Sequence, residues 1–149
     1  MRPQKVIVLG ATGTIGRRTL EVLDQLHRAD EAWECVGLAC ASKSDHILKV
    51  AQECWPKAKT ASVHEDDRVD FCGNDSALQL VEECASSETV VVSAIVGSAG
   101  LRPTLRAIEL GASVALANKE VMVCAGGLVK KALLNSSSSL WPVDSEHAA

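Results

Sequence analysis

The chain contains no tyrosine, and only 3% of its 149 residues are aromatic. The missing tyrosine excludes every mechanism in which a tyrosine hydroxyl acts as the catalytic acid. A basic excess is also missing, because 19 acidic residues outnumber 15 basic ones and leave a net charge of −4. Without clustered lysine or arginine, the composition argues against a nucleic acid as the main ligand.

Apolar runs of membrane-spanning length are absent, and the first residues do not resemble a secretion signal. The six cysteines form no C-x-x-C pair and no cluster with zinc-ligand spacing. They lie in apolar stretches, which predicts small core residues in a reducing compartment, and we expect a cytoplasmic protein that binds no membrane. The cysteines are Cys35, Cys40, Cys54, Cys72, Cys84 and Cys124.

Short β-branched runs alternate with segments of helical periodicity along the whole chain. This alternation predicts an α/β domain with a Rossmann-like, doubly wound, mostly parallel sheet and helices on both faces. The length fits one domain spanning residues 1–149. The predicted strands are residues 6–9, 35–40, 61–63, 89–96, 114–117 and 140–143. The predicted helices are residues 14–27, a segment from a cap at Asp45 to Pro56, and residues 76–84, 103–111 and 121–134.

A glycine motif, Gly10-Ala11-Thr12-Gly13-Thr14-Ile15-Gly16, separates the first strand from the first helix. In this position glycines allow the backbone to approach a pyrophosphate, and the helix start presents free N–H groups to it. The spacing is G-x-x-G-x-x-G rather than the commoner G-x-G-x-x-G. The motif therefore predicts a dinucleotide site, against the alternative of a turn that merely reverses the chain.

The end of the second strand decides between NAD and NADP in many dinucleotide-binding domains. Here Ser42, Lys43 and Ser44 follow the strand, and no carboxylate is present to bind ribose hydroxyls. A lysine between two hydroxyls suits a 2′-phosphate, so we expect NADP(H). The alternative is that Lys43 is an ordinary exposed base.

A second group of polar residues, Asp144-Ser145-Glu146-His147, follows the last predicted strand. If the segment is extended, Asp144 and Glu146 point to the same side. Two carboxylates without a nearby cysteine favour Mg²⁺ or Mn²⁺. Taken alone, however, such a pair of acids is more often a solvated acidic tail than a metal site.

Taken together, four segments resemble the 1-deoxy-D-xylulose 5-phosphate reductoisomerase family, and in particular its N-terminal NADPH-binding portion. They are the glycine motif, residues 94–104 (AIVGSAGLRPT), residues 115–120 (ALANKE) and residues 142–147 (PVDSEH). They occur in the family's order and span nearly the whole chain. The chain departs from the family at four positions, where Ala11, Thr14 and Val121 replace serine and Ala148 replaces asparagine.

The resemblance implies NADPH-dependent and metal-dependent conversion of 1-deoxy-D-xylulose 5-phosphate to 2-C-methyl-D-erythritol 4-phosphate in non-mevalonate isoprenoid biosynthesis. It implies a phosphorylated ketose as substrate and a homodimer for the full-length enzyme. It also implies that this chain supplies the cofactor-binding part and ends in the first metal-ligand segment. The catalytic and C-terminal helical domains of the family would then be absent, and we expect the isolated chain to be inactive.

The resemblance also implies roles for individual residues. Metal ligands would be Asp144 and Glu146. Substrate contacts would be Lys119, Ser145 and Glu146, and catalytic roles would fall to Lys119 and Glu120. Cofactor contacts would come from Gly10, Thr12, Gly13, Thr14, Ile15, Ser42, Lys43, Ser44, Ala94, Ile95, Val96, Gly97, Asn118 and Glu120. The alternative is that Asn118 is only a helix cap, with Lys119 and Glu120 in a solvated first turn.

Two other functions remain compatible with parts of the sequence. One is a stand-alone NADP(H)-binding module without catalysis, which would leave the terminal acids unexplained. The other is a different oxidoreductase with the same glycine spacing. Short-chain dehydrogenases fail for lack of tyrosine, and a semialdehyde dehydrogenase needs a nucleophilic cysteine that no cysteine here clearly provides.

Overall fold

The computed structural model describes residues 2–143, and within them the backbone forms one seven-stranded, all-parallel sheet. The strands are arranged in the order β4-β3-β2-β1-β5-β6-β7. The chain thus builds outward from β1 in one direction, returns to the centre, and builds outward from β5 in the other. In chain order the strands are β1 (Gln4–Leu9), β2 (Trp33–Cys40), β3 (Lys59–Ser62), β4 (Phe71–Cys72), β5 (Thr89–Ser93), β6 (Ser113–Leu116) and β7 (Leu140–Pro142).

Helices cover both faces of the sheet, and alternate residues of β1 show the two layers directly. Ile7 and Leu9 join a core with α3, α4 and α5, whereas Val6 and Val8 join a second core with α1 and α2. The Rossmann-like, doubly wound architecture is therefore confirmed. The helices are α1 (Thr14–Arg28), α2 (Ser44–Cys54), α3 (Ser76–Cys84), α4 (Leu101–Glu109) and α5 (Lys119–Leu134), and a short 3₁₀ turn (Ser98–Gly100) precedes α4.

Strand β5 is shorter than its apolar sequence predicts. It ends at Ser93, and the last residue pair with β1 is Leu9 with Ser93. Beyond this point β1 turns away at Gly10, which has a positive φ of 79°, and the other neighbour, β6, ends at Leu116 opposite Ser93. Residues 94–96 therefore have no strand to pair with. Val96 is accordingly 86% exposed. The run of apolar residues therefore predicted the strand correctly but misplaced its end.

Three further details of the prediction are wrong. Helix α2 begins at Ser44 after Lys43, so Asp45 lies inside its first turn instead of capping it, and its carboxylate accepts a hydrogen bond from Arg68. Strand β4 was not predicted, because a two-residue edge strand has no periodicity to detect. Not every cysteine is a core residue either, since Cys72 and Cys124 are exposed.

No helix within residues 2–143 is both long enough and apolar enough to cross a membrane.

The predicted edge strand with Pro142 is confirmed as β7, which pairs with β6 on one side only. A proline that cannot donate to a ladder is tolerated at this position.

Candidate functional site

A cleft of about 330 Å³ opens at the carboxyl edge of the sheet, where the strand order reverses between β1 and β5. In open α/β sheets this switch point is where ligands bind, because the loops leaving the two central strands diverge to opposite faces. Its walls come from the ends of β1, β2, β3 and β5. Contributing residues include Gly10, Thr12, Gly13, Cys40, Ala41, Val63 and residues 94–96.

The glycine loop, residues 10–16, is tightly packed at its two ends and open in its middle. A Cβ atom on Gly10 would lie 2.4 Å from the carbonyl oxygen of Ala94, and one on Gly16 would lie 2.0 Å from the carbonyl oxygen of Gly10. At Gly13 the nearest atom would be 3.5 Å away, and this residue faces solvent. The outer glycines thus allow the loop to fold against β5 and α1, while the middle one leaves room for a ligand.

Helix α1 starts directly after Gly13, and within residues 2–143 no side chain caps its N terminus. The first-turn N–H groups of a helix lack partners in the helix itself, and together with the helix dipole they attract an anion. Nearby, the Nε of Arg17 donates to the carbonyl oxygen of Thr12 at 2.9 Å. This bond holds a guanidinium group beside the glycine loop.

The β5 loop, residues 94–97, forms the opposite wall of the cleft and is held by one distant side chain. The amide nitrogen of Asn118 donates to the carbonyl oxygens of Ile95 and of Gly97, the latter at 2.7 Å. Its Oδ1 accepts the N–H of Glu120 at 2.9 Å, which caps α5. The side chain is only 4% exposed. Asn118 therefore caps α5, as predicted, and also positions the loop, which sequence reasoning did not foresee.

The segment after β2 lies beside the first turn of α2. Ser42 and Lys43 are exposed, whereas Ser44 is buried and its hydroxyl donates to the Oδ2 of Asp66 at 2.5 Å. Hydrogen bonds from Arg68 and Ser44 hold the pKa of Asp66 well below its ordinary value, so it stays a carboxylate. The structure thus presents Ser42 and Lys43 to solvent and turns the Ser44 hydroxyl toward the loop before β4.

The remaining predicted site residues divide into two groups. Lys119 and Glu120 are exposed in the first turn of α5, at the same carboxyl edge of the sheet. Asp144, Ser145 and Glu146 lie outside the described residues. Val143, just before them, donates its N–H to the carbonyl oxygen of Leu116 at 2.8 Å, beyond β7. Within residues 2–143 no group of three or more His, Cys, Asp or Glu side chains could hold a metal ion.

Cys40 is the cysteine that lines the cleft, and it is not suited to nucleophilic chemistry. Burial raises the pKa of its thiol above the ordinary value, so the thiol remains protonated near neutral pH. Cys35 lies five residues earlier on β2, and burial raises the pKa of its thiol to about 12. This removes the structural basis for a thiol-dependent dehydrogenase at this cleft.

A family model described as 1-deoxy-D-xylulose 5-phosphate reductoisomerase matches residues 6–126. The chain belongs to this family. Similar members include the reductoisomerase of Rhodopirellula baltica, 38% identical over 97% of this chain, and that of Mycobacterium avium, 41% identical over 97%. The chain spans 37% and 35% of these two relatives, respectively, and so corresponds to little more than a third of a reductoisomerase.

Solved reductoisomerase structures share the fold. The Zymomonas mobilis enzyme in complex with NADPH superimposes with a TM-score of 0.82 at 31% identity, over 98% of this chain and 40% of that one. A reductoisomerase in complex with NADPH, fosmidomycin and magnesium gives a TM-score of 0.79 at 31% identity, over 97% and 37%. A homoserine dehydrogenase from Thiobacillus denitrificans, 22% identical with a TM-score of 0.64, shares the fold alone.

Proposed function

We propose that this chain is the NADPH-binding domain of a 1-deoxy-D-xylulose 5-phosphate reductoisomerase, occupying residues 1–149. The whole enzyme would rearrange and reduce that ketose phosphate to 2-C-methyl-D-erythritol 4-phosphate. The observation that carries the proposal is the cleft at the β1–β5 switch point, with the glycine loop on one side and the uncapped start of α1 beneath it.

The residues of the cleft fit a dinucleotide. Gly10 and Gly16 bring the loop within backbone contact of its neighbours, where any side chain at these two positions would clash. The open position at Gly13 leaves space for a pyrophosphate at the helix start. Thr12, Gly13, Thr14 and Ile15 would hold the pyrophosphate, and Ser42 and Lys43 the 2′-phosphate. Ser44 would contribute by positioning, because its hydroxyl is bonded to Asp66.

The β5 loop would bind the adenosine or nicotinamide side of the cofactor through backbone groups of residues 94–97. Asn118 would support this contact indirectly, since its amide already bonds two carbonyls of the loop. NADPH supplies a hydride when bound. Lys119 would polarise a substrate oxygen, and Glu120 would lie where cofactor and substrate meet.

The metal part of the proposal rests on the family and on the chemistry of its donors. Asp144 and Glu146 would be ligands of Mg²⁺ or Mn²⁺, because carboxylate oxygens suit hard cations. Ser145 and Glu146 would also contact substrate. Two solved reductoisomerase structures contain magnesium together with fosmidomycin, and one of them also contains NADPH. A homodimer would be the state of the full-length enzyme.

Calorimetric titration with NADPH and NADH tests the proposal on the 149-residue chain. We expect NADPH to bind about tenfold more tightly than NADH, and Lys43→Glu to remove that preference by repelling the 2′-phosphate. Lys57→Glu is the matched control, because Lys57 is exposed at the opposite edge of the sheet and should leave both affinities unchanged.

Equal affinities for the two nucleotides in the unaltered chain would contradict the NADPH assignment.

A coupled absorbance assay with the ketose phosphate and Mn²⁺ then tests the domain assignment. We expect no NADPH oxidation, because two carboxylates alone bind Mg²⁺ or Mn²⁺ weakly. Turnover by the isolated chain would show that it carries a complete catalytic site.

A further inference from the structure

One arginine of the chain differs from the rest in the partner that its side chain bonds. All seven arginines lie within residues 2–143, and six of them form ion pairs with carboxylates at 2.6 to 3.5 Å. Arg17 is the exception among the described residues, and its Nε bonds the carbonyl oxygen of Thr12 in the glycine loop instead. A guanidinium has five N–H donors, so this bond leaves others available for an anion.

Arg17 bonds a residue that lines the cleft, Thr12, and it is one of three basic residues whose charges act on His46. His46 is half-buried in the first turn of α2, and its backbone N–H bonds the carbonyl oxygen of Lys43 at 3.1 Å. Burial, followed by the positive charges of Arg17 on α1 and of Lys49 and Lys43 on or beside α2, lowers the pKa of His46. Arg17, Lys43 and Lys49 therefore lie close enough to His46 to disfavour its charged form.

Carboxylates do not balance this cluster within the described residues. None of the four basic side chains forms an ion pair there, and the two acids that adjoin Ser44, one in sequence and one through a hydrogen bond, are engaged with Arg68. Asp45 pairs with Arg68 at 2.6 Å, and Asp66 pairs with the same guanidinium at 2.7 Å. In a chain of net charge −4, an uncompensated basic cluster beside a nucleotide cleft implies an anionic ligand.

We propose that Arg17 and His46 bind the 2′-phosphate of the nucleotide together with Lys43. Arg17 contributes a permanent positive charge, and His46 contributes a charge that depends on pH. The proposal rests on the proposed NADPH function and extends it to two residues outside the family motifs. Its consequence is that preference for the 2′-phosphorylated nucleotide increases as His46 becomes protonated. A bound phosphate favours the imidazolium and so opposes the repulsion from Arg17, Lys43 and Lys49.

Calorimetry with NADP⁺ and NAD⁺, which differ only by the 2′-phosphate, tests the permanent charge. We expect Arg17→Gln to weaken NADP⁺ binding about fivefold and to leave NAD⁺ binding nearly unchanged. Arg18→Gln is the matched control, because Arg18 is exposed one residue further along and pairs with Glu21 at 3.3 Å. An equal loss for both nucleotides would mean that Arg17 only holds the Thr12 carbonyl, and would overturn its role at the phosphate.

The same titrations at about pH 5.5 and about pH 8.5 test the titrating charge. The phosphate itself titrates in this range, so the informative quantity is the affinity of the unaltered chain relative to His46→Gln. We expect this ratio for NADP⁺ to rise from about one at the higher pH to about threefold at the lower, and the ratio for NAD⁺ to stay flat. A flat ratio for NADP⁺ overturns the role of His46.

Failure of the inference and failure of the proposed function give different results. If the Arg17→Gln and His46→Gln variants keep the full preference for NADP⁺ at both pH values, the inference is wrong and the proposed function stands. Binding of neither nucleotide by the unaltered chain overturns the proposed function and this inference with it.

Discussion

The two walls of the cleft are held in place by different means. The glycine loop is positioned by its own sequence, because Gly10 and Gly16 permit contacts that any side chain would block. The β5 loop is positioned by Asn118, which lies 21 residues beyond Gly97 and reaches back with its amide group. One wall thus depends on the absence of side chains and the other on a single side chain. The difference predicts that the walls fail in different ways when altered.

The largest effect should come from filling the glycine loop. Gly16→Ala places a Cβ atom 2.0 Å from a backbone oxygen that cannot rotate away, so we expect a loss of about 3 kcal/mol in unfolding free energy and loss of NADPH binding. Urea unfolding and calorimetry measure the two effects.

Gly127→Ala provides the matched control for this substitution. Gly127 is exposed in α5 and has no atom within 4 Å of its would-be Cβ. We expect a stabilisation of about 0.5–1 kcal/mol, because alanine has the higher helix propensity. Similar behaviour of the two variants would show that the glycine loop tolerates a side chain after all.

An intermediate effect should come from removing the side chain that holds the β5 loop. Asn118→Ala removes the cap of α5 and both bonds to the loop carbonyls, for which we expect a loss of about 2 kcal/mol in unfolding free energy. We also expect weaker NADPH binding, because residues 94–97 would lose their support.

Asn118→Ser separates the two roles of this residue. Serine caps helices well but is too short to bridge to the β5 loop, so stability should recover by about 1 kcal/mol while NADPH binding stays weak. Full recovery of binding in the serine variant would mean that capping alone matters. The β5 loop would then be held by its own sequence, like the glycine loop.

The smallest effect should come from the hydroxyl pair at the base of the β5 loop. Ser93 ends β5, Thr104 lies on α4, and their buried hydroxyl groups are 2.7 Å apart. Thr104→Val keeps the shape but leaves the Ser93 hydroxyl without its partner, so we expect a loss of about 1 kcal/mol. Adding Ser93→Ala should restore part of it, because both polar groups are then gone. Simple additivity in urea unfolding would indicate that the pair contributes no coupling.

The sequence predicted most of the fold because its strands are short β-branched runs and its helices carry regular apolar spacing. Helix α3 was predicted with its observed ends, residues 76–84. The errors occur where tertiary neighbours decide. Strand β5 stops where β1 turns away, and Asp45 is drawn to Arg68, which lies 23 residues along the chain.

The site was predictable in part for the same reason. The glycine motif identifies its loop by local spacing, and Asn118 could be predicted as a cap because capping is a local interaction. Its bonds to Ile95 and Gly97 could not, since nothing in the spacing of these residues indicates that their segments meet. The sequence did not single out Arg17 either, because an arginine on the polar face of a helix is ordinarily a solvated residue.

The sequence alone determined the α/β class, the position of the glycine loop between β1 and α1, and the family resemblance that the comparisons then confirmed. These features follow from local periodicity, backbone sterics and short motifs. The tertiary structure alone decided that the Asn118 side chain reaches the β5 loop and that the Arg17 side chain bonds the glycine loop. Such contacts depend on strand order, which brings together segments that are far apart along the chain.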